Sequence, residues 1–109
     1  MSISETLEKF TERMEENPEH IKDLTYTYEF HITDEKEGIY QLHIQEGKAE
    51  YYTAKVKEPR LVLEMDSEHF LKLADNNLNA AMAYMSGRLK INGEVSHALK
   101  FQSLLKKYQ

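Results

Sequence analysis

From Leu24 to Thr33 the chain alternates apolar and polar residues without a fault, with Leu24, Tyr26, Tyr28, Phe30 and Ile32 on one side and Thr25, Thr27, Glu29, His31 and Thr33 on the other. Successive side chains of an extended chain point to opposite faces. Ten residues of this pattern therefore predict a strand with one face on a core and the other wet. The alternation returns in Tyr40, Leu42 and Ile44 after the polar turn Asp34–Gly38, and in Ala49, Tyr51 and Thr53 after Glu46-Gly47. Short polar turns join antiparallel neighbours, so a three-stranded meander is expected. Pairing Thr33 with Ile39 would set Glu29 opposite His43, with His31 on the diagonal.

The helical signals are equally ordered. Ser2 followed by Glu5 is a capping-box pattern, and Ile3, Leu7, Phe10 and Met14 then recur at helical spacing, which predicts a helix over about 3–16. Asn17-Pro18 ends it and starts a short second turn through about Asp23. Beyond the Pro59-containing connection, Leu61, Leu63 and Met65 alternate as a fourth strand. Asp66 or Ser67 then caps a helix carrying Phe70, Leu71, Leu73 and Ala74, which Asn76-Asn77 breaks. Leu78–Met85 reads as a second short helix closed by Gly87, Arg88–Asn92 as a fifth strand, and about 94–108 as a last helix. Its apolar stripe of Val95, Ala98, Leu99, Phe101, Leu104, Leu105 and Tyr108 is unusually broad.

The sum is an α+β fold. One helix, three strands, a crossover into strand four, two helices, strand five and a final helix make a five-stranded, mostly antiparallel sheet with helices packed on one face. The length of 109 residues suits a single domain, 1–109.

The chain holds no cysteine, which removes disulfides, thiolate metal sites and thiol chemistry together. No apolar run approaches the ~20 residues of a membrane span, and the acidic start Met1–Phe10 lacks the pattern of a signal peptide, so a cytoplasmic protein is expected. A net charge of −5 argues against nucleic acid as a partner. The charge is uneven, however. Residues 1–54 carry 5 Lys/Arg against 13 Asp/Glu, and residues 55–109 carry 9 against 6. Arg88, Lys90, Lys100, Lys106 and Lys107 form a basic end suited to an anionic headgroup or membrane leaflet, although Lys106 and Lys107 also suit a helix C-terminus.

Catalytic patterns are missing: there is no Gly-rich phosphate loop, nucleophile elbow, H-E-x-x-H or EF-hand loop. A non-enzymatic domain without a cofactor is expected. On the wet face Glu29, His31 and His43 are spaced to share a metal, but the same residues serve solubility and nothing supplies a pocket around them. His20, His69 and His97 read as surface histidines, and no metal site is assigned.

The apolar residues late in the chain exceed what one sheet face readily covers. Met65, Phe70, Leu73, Met82, Met85, Leu99, Phe101 and Leu105 are spaced either to complete the core or to line a cavity, and methionine adapts to both uses. Gln102, three residues after Leu99, sets a neutral amide on the apolar side of the last helix. There it either bonds to backbone or anchors the polar end of a ligand.

The stretch Ala83-Tyr84-Met85-Ser86-Gly87-Arg88-Leu89-Lys90-Ile91-Asn92-Gly93-Glu94, followed by Ala98-Leu99-Lys100-Phe101-Gln102-Ser103-Leu104-Leu105, resembles the C-terminal signature of the sterol carrier protein 2 domain family. The resemblance implies a hydrophobic tunnel between the sheet and the C-terminal helices. It also implies non-enzymatic binding and transfer of fatty acids, fatty acyl-CoA, sterol-like lipids or isoprenoids. By position Gln102 falls where related domains place a glutamine beside the tunnel, with Leu99, Phe101 and Leu105 lining the lipid or the mouth. Arg88, Lys90 and Lys100 would then meet the headgroup. The end Lys107-Tyr108-Gln109 lacks a peroxisomal address, which suggests a stand-alone, cytoplasmic, bacterial version. The partners expected are a lipid, an anionic membrane surface or a lipid-metabolising enzyme, with the protein a monomer or weak dimer.

The alternative is a structural or regulatory module whose residues 94–108 dock a partner helix or a second copy. The energetics sharpen the choice. An empty apolar cavity of about 300 Å³ would cost on the order of 7 kcal/mol, against a domain stability of ~5–15 kcal/mol. Lipid, water around Gln102 or inward collapse of the last helix must fill it.

Overall fold

Ser2 opens the first helix, α1 (Ile3–Glu16), with the expected capping box. The Glu5 backbone N–H donates to the Ser2 hydroxyl at 3.0 Å, and the Ser2 N–H donates to the Glu5 carboxylate at 3.1 Å. The computed structural model describes residues 2–109. Ile3, Leu7, Phe10 and Met14 are buried along one face of α1. A single 3-10 turn at Pro18–His20, shorter than expected, leads to the sheet. The C-terminal end of the chain is clasped to the end of α1 there: Arg13 Nη1 donates to the Tyr108 carbonyl at 2.9 Å, and the Tyr108 hydroxyl donates to the Asn17 carbonyl at 2.7 Å.

The strands are β1 (Thr25–Ile32), β2 (Ile39–Gln45), β3 (Lys48–Tyr52), β4 (Leu61–Met65) and β5 (Lys90–Asn92). Their order across the sheet is β3-β2-β1-β4-β5, with β1 and β4 parallel and every other pair antiparallel. Between β4 and β5 lie α2 (Ser67–Ala74), capped by Asp66, and α3 (Ala80–Met85), capped by Asn79. Gly87 follows α3 with φ +80, the left-handed conformation that ends a helix most cheaply in glycine. The last helix is α4 (Val95–Lys106). Tyr26, Tyr28, Phe30, Leu42, Leu63, Phe70 and Phe101 share the core between sheet and helices. No helix among the described residues is long and apolar enough to cross a membrane.

Two expectations are corrected. The β1–β2 register pairs Thr27 with His43 and Glu29 with Gln41, two residues away from the expected pairing. A longer turn sets it: the Ile32 N–H donates to the Gly38 carbonyl at 2.6 Å, and a β-carbon on Gly38 would stand 2.1 Å from the Ile32 carbonyl oxygen. Glycine alone permits this approach. Secondly, the polar face of β1 is dry at its centre, where Thr27, Glu29 and Gln41 are buried. The connection between β3 and β4 folds back over that face and is held by Gln41. Gln41 Oε1 accepts from the Val56 and Lys57 N–H groups at 3.0 Å each, and Nε2 donates to the Lys57 carbonyl at 2.7 Å and to Glu29 at 2.8 Å. Buried polar groups must be paired in this way, and among the described residues no buried side-chain nitrogen or oxygen is left without a partner.

Candidate functional site

The start of β1 and the outer flank of α4 enclose a groove of about 480 Å³. Its floor follows from the alternation of β1. Tyr26 and Tyr28, two residues apart, put their rings on the helix side with centroids 4.5 Å apart. Tyr28 packs on Phe101 at 4.5 Å, Phe101 lies 5.5 Å from Phe30, and Phe30 meets Phe70 edge-on at 5.2 Å. Such pairs contribute about 0.5–1.5 kcal/mol each beyond the area they bury. Leu24 and Leu104 complete the apolar lining.

The rim is polar and mostly cationic. Lys100, Ser103, Leu104 and Lys107 recur at three- and four-residue spacing along one flank of α4, and Arg60 arrives from the connection before β4. The Arg60 guanidinium carbon stands 5.2 Å from the centre of the Tyr26 ring. The Tyr26 hydroxyl is 2.7 Å from His97 Nδ1, and His97 Nε2 is 3.1 Å from Glu94. With Nε2 protonated toward Glu94, Nδ1 is free to accept the tyrosine proton. Burial raises the Tyr26 hydroxyl above its usual range, against the opposing pull of Arg60, so it acts as a hydrogen-bond donor. Burial raises Tyr28 as well. The acid Asp23 also lines the groove, facing Arg60, Lys100 and Lys107 as the cationic members. An apolar floor under a cationic rim suits a molecule with a hydrocarbon body and an anionic end.

Comparison with known proteins then places the chain. Residues 7–106 match the family model described as the SCP-2 sterol transfer family. The chain belongs to the SCP-2 sterol transfer family. A curated relative, hydroxysteroid dehydrogenase-like protein 2 of Danio rerio, is 33% identical over 91 residues, which cover 82% of this chain and 22% of the relative. The chain thus spans about a fifth of the length of such relatives. Sterol carrier protein domain 2 of Helicoverpa armigera superposes with a TM-score of 0.78 at 21% identity, covering 95% of this chain and 85% of that one. Palmitated SCP2L2 from Aedes aegypti gives 0.69 at 17% identity, covering 96% and 95%. The family and fold are those the C-terminal signature suggested. A stand-alone bacterial origin finds no support in the curated relatives, which are animal proteins.

Within this SCP-2 domain the residues singled out from the sequence fall into three groups. Met65, Phe70, Leu73, Phe101 and Leu105 are buried between the sheet and the helices, where side chains fill the interior. Met82 and Met85, expected to line a cavity, and Leu99, expected to line the lipid or the mouth, face outward at 69%, 84% and 40% exposure. The physical reason is that α3 is only six residues long and lays its small side, Ala80 and Ala83, on the core. The Gln102 amide is bonded to backbone: Oε1 accepts from the Ala80 N–H at 2.9 Å and Nε2 donates to the Leu78 carbonyl at 2.7 Å.

Among the expected headgroup residues, Lys100 lines the groove. Arg88 and Lys90 line a separate depression of about 250 Å³ with Glu64, Asp66 and His69. Glu29 and His31 are joined at 2.7 Å, while His43 bonds Thr27 at 2.8 Å, so the three do not converge. No cluster of three His, Asp or Glu side chains placed to hold a metal occurs among the described residues. Sequence reasoning missed Tyr26, Arg60 and His97 as a unit. Tyr26 was visible as an apolar-face residue. His97, expected at the surface, is half-buried because Tyr26 draws it in. No local signal marks Arg60.

Proposed function

We propose that this SCP-2 domain is a non-enzymatic carrier of a lipid with an anionic polar end, a fatty acid or fatty acyl-CoA in preference to a sterol. The observation that carries the reading is the meeting of an aromatic floor and a cationic rim in one groove, whose 480 Å³ lies within the usual range of about 300–1,000 Å³ for ligand sites. Arg60, Lys100 and Lys107 would hold the anionic end. The single hydroxyl of a sterol gains little from three cations. The hydrocarbon would lie on Leu24, Tyr28 and Leu104. A longer chain would reach the buried wall of Met65, Phe70, Leu73, Phe101 and Leu105 as α4 lifts from the sheet. Each CH₂ buried adds about 0.8 kcal/mol, so chain length is rewarded more than identity. Exchange of cargo with a lipid-metabolising enzyme in the cytoplasm belongs to the same reading.

The docking-helix alternative has less to stand on. Ala98, Phe101, Leu104 and Leu105 of α4 are spent on the domain's own core. Thermal unfolding with palmitate, palmitoyl-CoA and hexadecanol tests the carrier. Palmitate and palmitoyl-CoA should raise the midpoint more than the neutral alcohol. Lys100→Glu should weaken palmitate about tenfold and leave hexadecanol unchanged. Flat titrations with all three would overturn the proposal.

A further inference from the structure

The cation that stands over the Tyr26 ring is carried by a segment without regular structure. Residues 53–60 join β3 to β4, and among the described residues four hydrogen bonds hold their backbone. Three of the four end on the Gln41 amide. The fourth runs from the Arg60 N–H to the Thr27 carbonyl at 3.0 Å. Residues 53–58 are exposed, so packing does little to replace the amide.

Gln41 and the Arg60 guanidinium serve opposite sides of the sheet. Gln41 pairs with Glu29 in the β1–β2 register and stands completely buried on the outer face. Arg60 borders a depression on that face with Glu29 and Lys55, and it also lines the groove on the helix side, beside Tyr26. The guanidinium makes no ion pair among the described residues, so the course of its own backbone and the Tyr26 ring are what place it. Pro59 links the two anchors. Its ring fixes its own φ and disfavours helical backbone at Glu58. Both residues between Lys57 and Arg60 are thereby stiffened, and a displacement at Lys57 is passed on to Arg60.

We propose that Gln41 is a positioning residue for the anionic end of the cargo: by holding Val56 and Lys57 on the outer face, it sets Arg60 at the mouth of the groove on the other. The inference rests on the carrier reading and names a residue that touches no cargo. The sheet stands between the Gln41 amide and the groove, so the connection is the route by which one acts on the other. Selection between an anionic and a neutral polar end therefore depends on an amide buried on the far side of the sheet.

Titrations of the parent and of single and double variants with palmitate and hexadecanol test it. Arg60→Gln should lose about fivefold for palmitate and nothing for the neutral alcohol. Gln41→Leu should show the same split, and adding it to Arg60→Gln should cost palmitate nothing more. A role in stability alone would weaken both ligands alike. Gln41→Glu keeps the acceptor for the Val56 and Lys57 N–H groups but sets a second carboxylate against Glu29, so stability should fall while the preference for palmitate stays. Gln41→Asn, one methylene short of the connection, stands in if Gln41→Leu does not fold and should give the same split. In the cargo-free protein the ring resonances of Tyr26 should move in Gln41→Leu toward their positions in Arg60→Gln. An undiminished palmitate preference in Gln41→Leu, equal weakening of both ligands, or Tyr26 resonances left where the parent has them would overturn the inference and leave the carrier standing. Flat titrations of the parent would remove the carrier reading and this inference with it.

Discussion

The Tyr26 hydroxyl and His97 Nδ1 lie 2.7 Å apart, joining the first strand to the last helix across the mouth of the groove. Arg60 stands over the same tyrosine ring, so one side chain positions two members of the rim. Tyr26→Phe keeps the ring and the cation contact and removes the bond. It should cost about 1 kcal/mol in urea unfolding, as should His97→Ala. The two changes made together should cost less than their sum by about 1 kcal/mol. Strict additivity would show that the contact contributes nothing.

Gln41 is completely buried and makes four hydrogen bonds on the outer sheet face. Gln41→Leu preserves bulk but strands the Val56 and Lys57 N–H groups and one side of the Glu29 carboxylate. A loss of about 2–4 kcal/mol is expected, each orphaned group costing about 1–3 kcal/mol with partial relief by water. Hydrogen exchange should accelerate first across residues 53–60. Uniform acceleration through the whole sheet would mean that Gln41 supports the core and not the connection.

Acid should loosen α2 before the rest. The His69 backbone N–H holds the Asp66 carboxyl below its usual range, against some desolvation, and the Ser67 hydroxyl and N–H do the same for Asp34. Both groups are favoured in their charged form by folding. Their contribution is present above the ordinary carboxylate value of about 4 and is lost as pH falls through the depressed folded values. Asp66→Asn keeps the cap acceptor while removing the titration. Its stability should fall less steeply than the parent's on acidification, as followed by denaturant unfolding at each pH. Parallel curves would exclude Asp66 as a source.

What could be read from the sequence was whatever repeats with the period of the backbone. The alternation of β1, the capping box of Ser2 and Glu5, the Asp66 cap and the Gly87 terminus all depend on neighbours within a few residues, and the structure keeps each. The β1–β2 register was not legible, because a shift of two residues leaves every side chain on its own face. Only the close approach of Gly38 to Ile32 decides it. The groove escaped for a different reason. Tyr26, Arg60 and His97 meet through three separate elements, and nothing local in any of them signals the others. Apolar character alone points Met82 and Met85 to the interior, whereas Ala80 and Ala83 occupy the buried side of so short a helix.

Gln102 gives the sharpest test of how this site is divided between structure and binding. Its amide lies on the apolar side of α4, where a lipid anchor was one of two expected uses, yet both ends of it are engaged by the backbone at Ala80 and Leu78. Gln102→Leu therefore leaves one buried N–H and one carbonyl without partners, at about 1–3 kcal/mol each, offset in part by the better burial of leucine. A net loss of about 2 kcal/mol is expected, with exchange protection lost first at the start of α3. Palmitate affinity should be nearly unchanged, since the cationic rim lies on another flank of α4. The opposite pattern, full stability with an altered preference among polar ends, would return Gln102 to the role of lipid anchor and move the binding site inward from the groove.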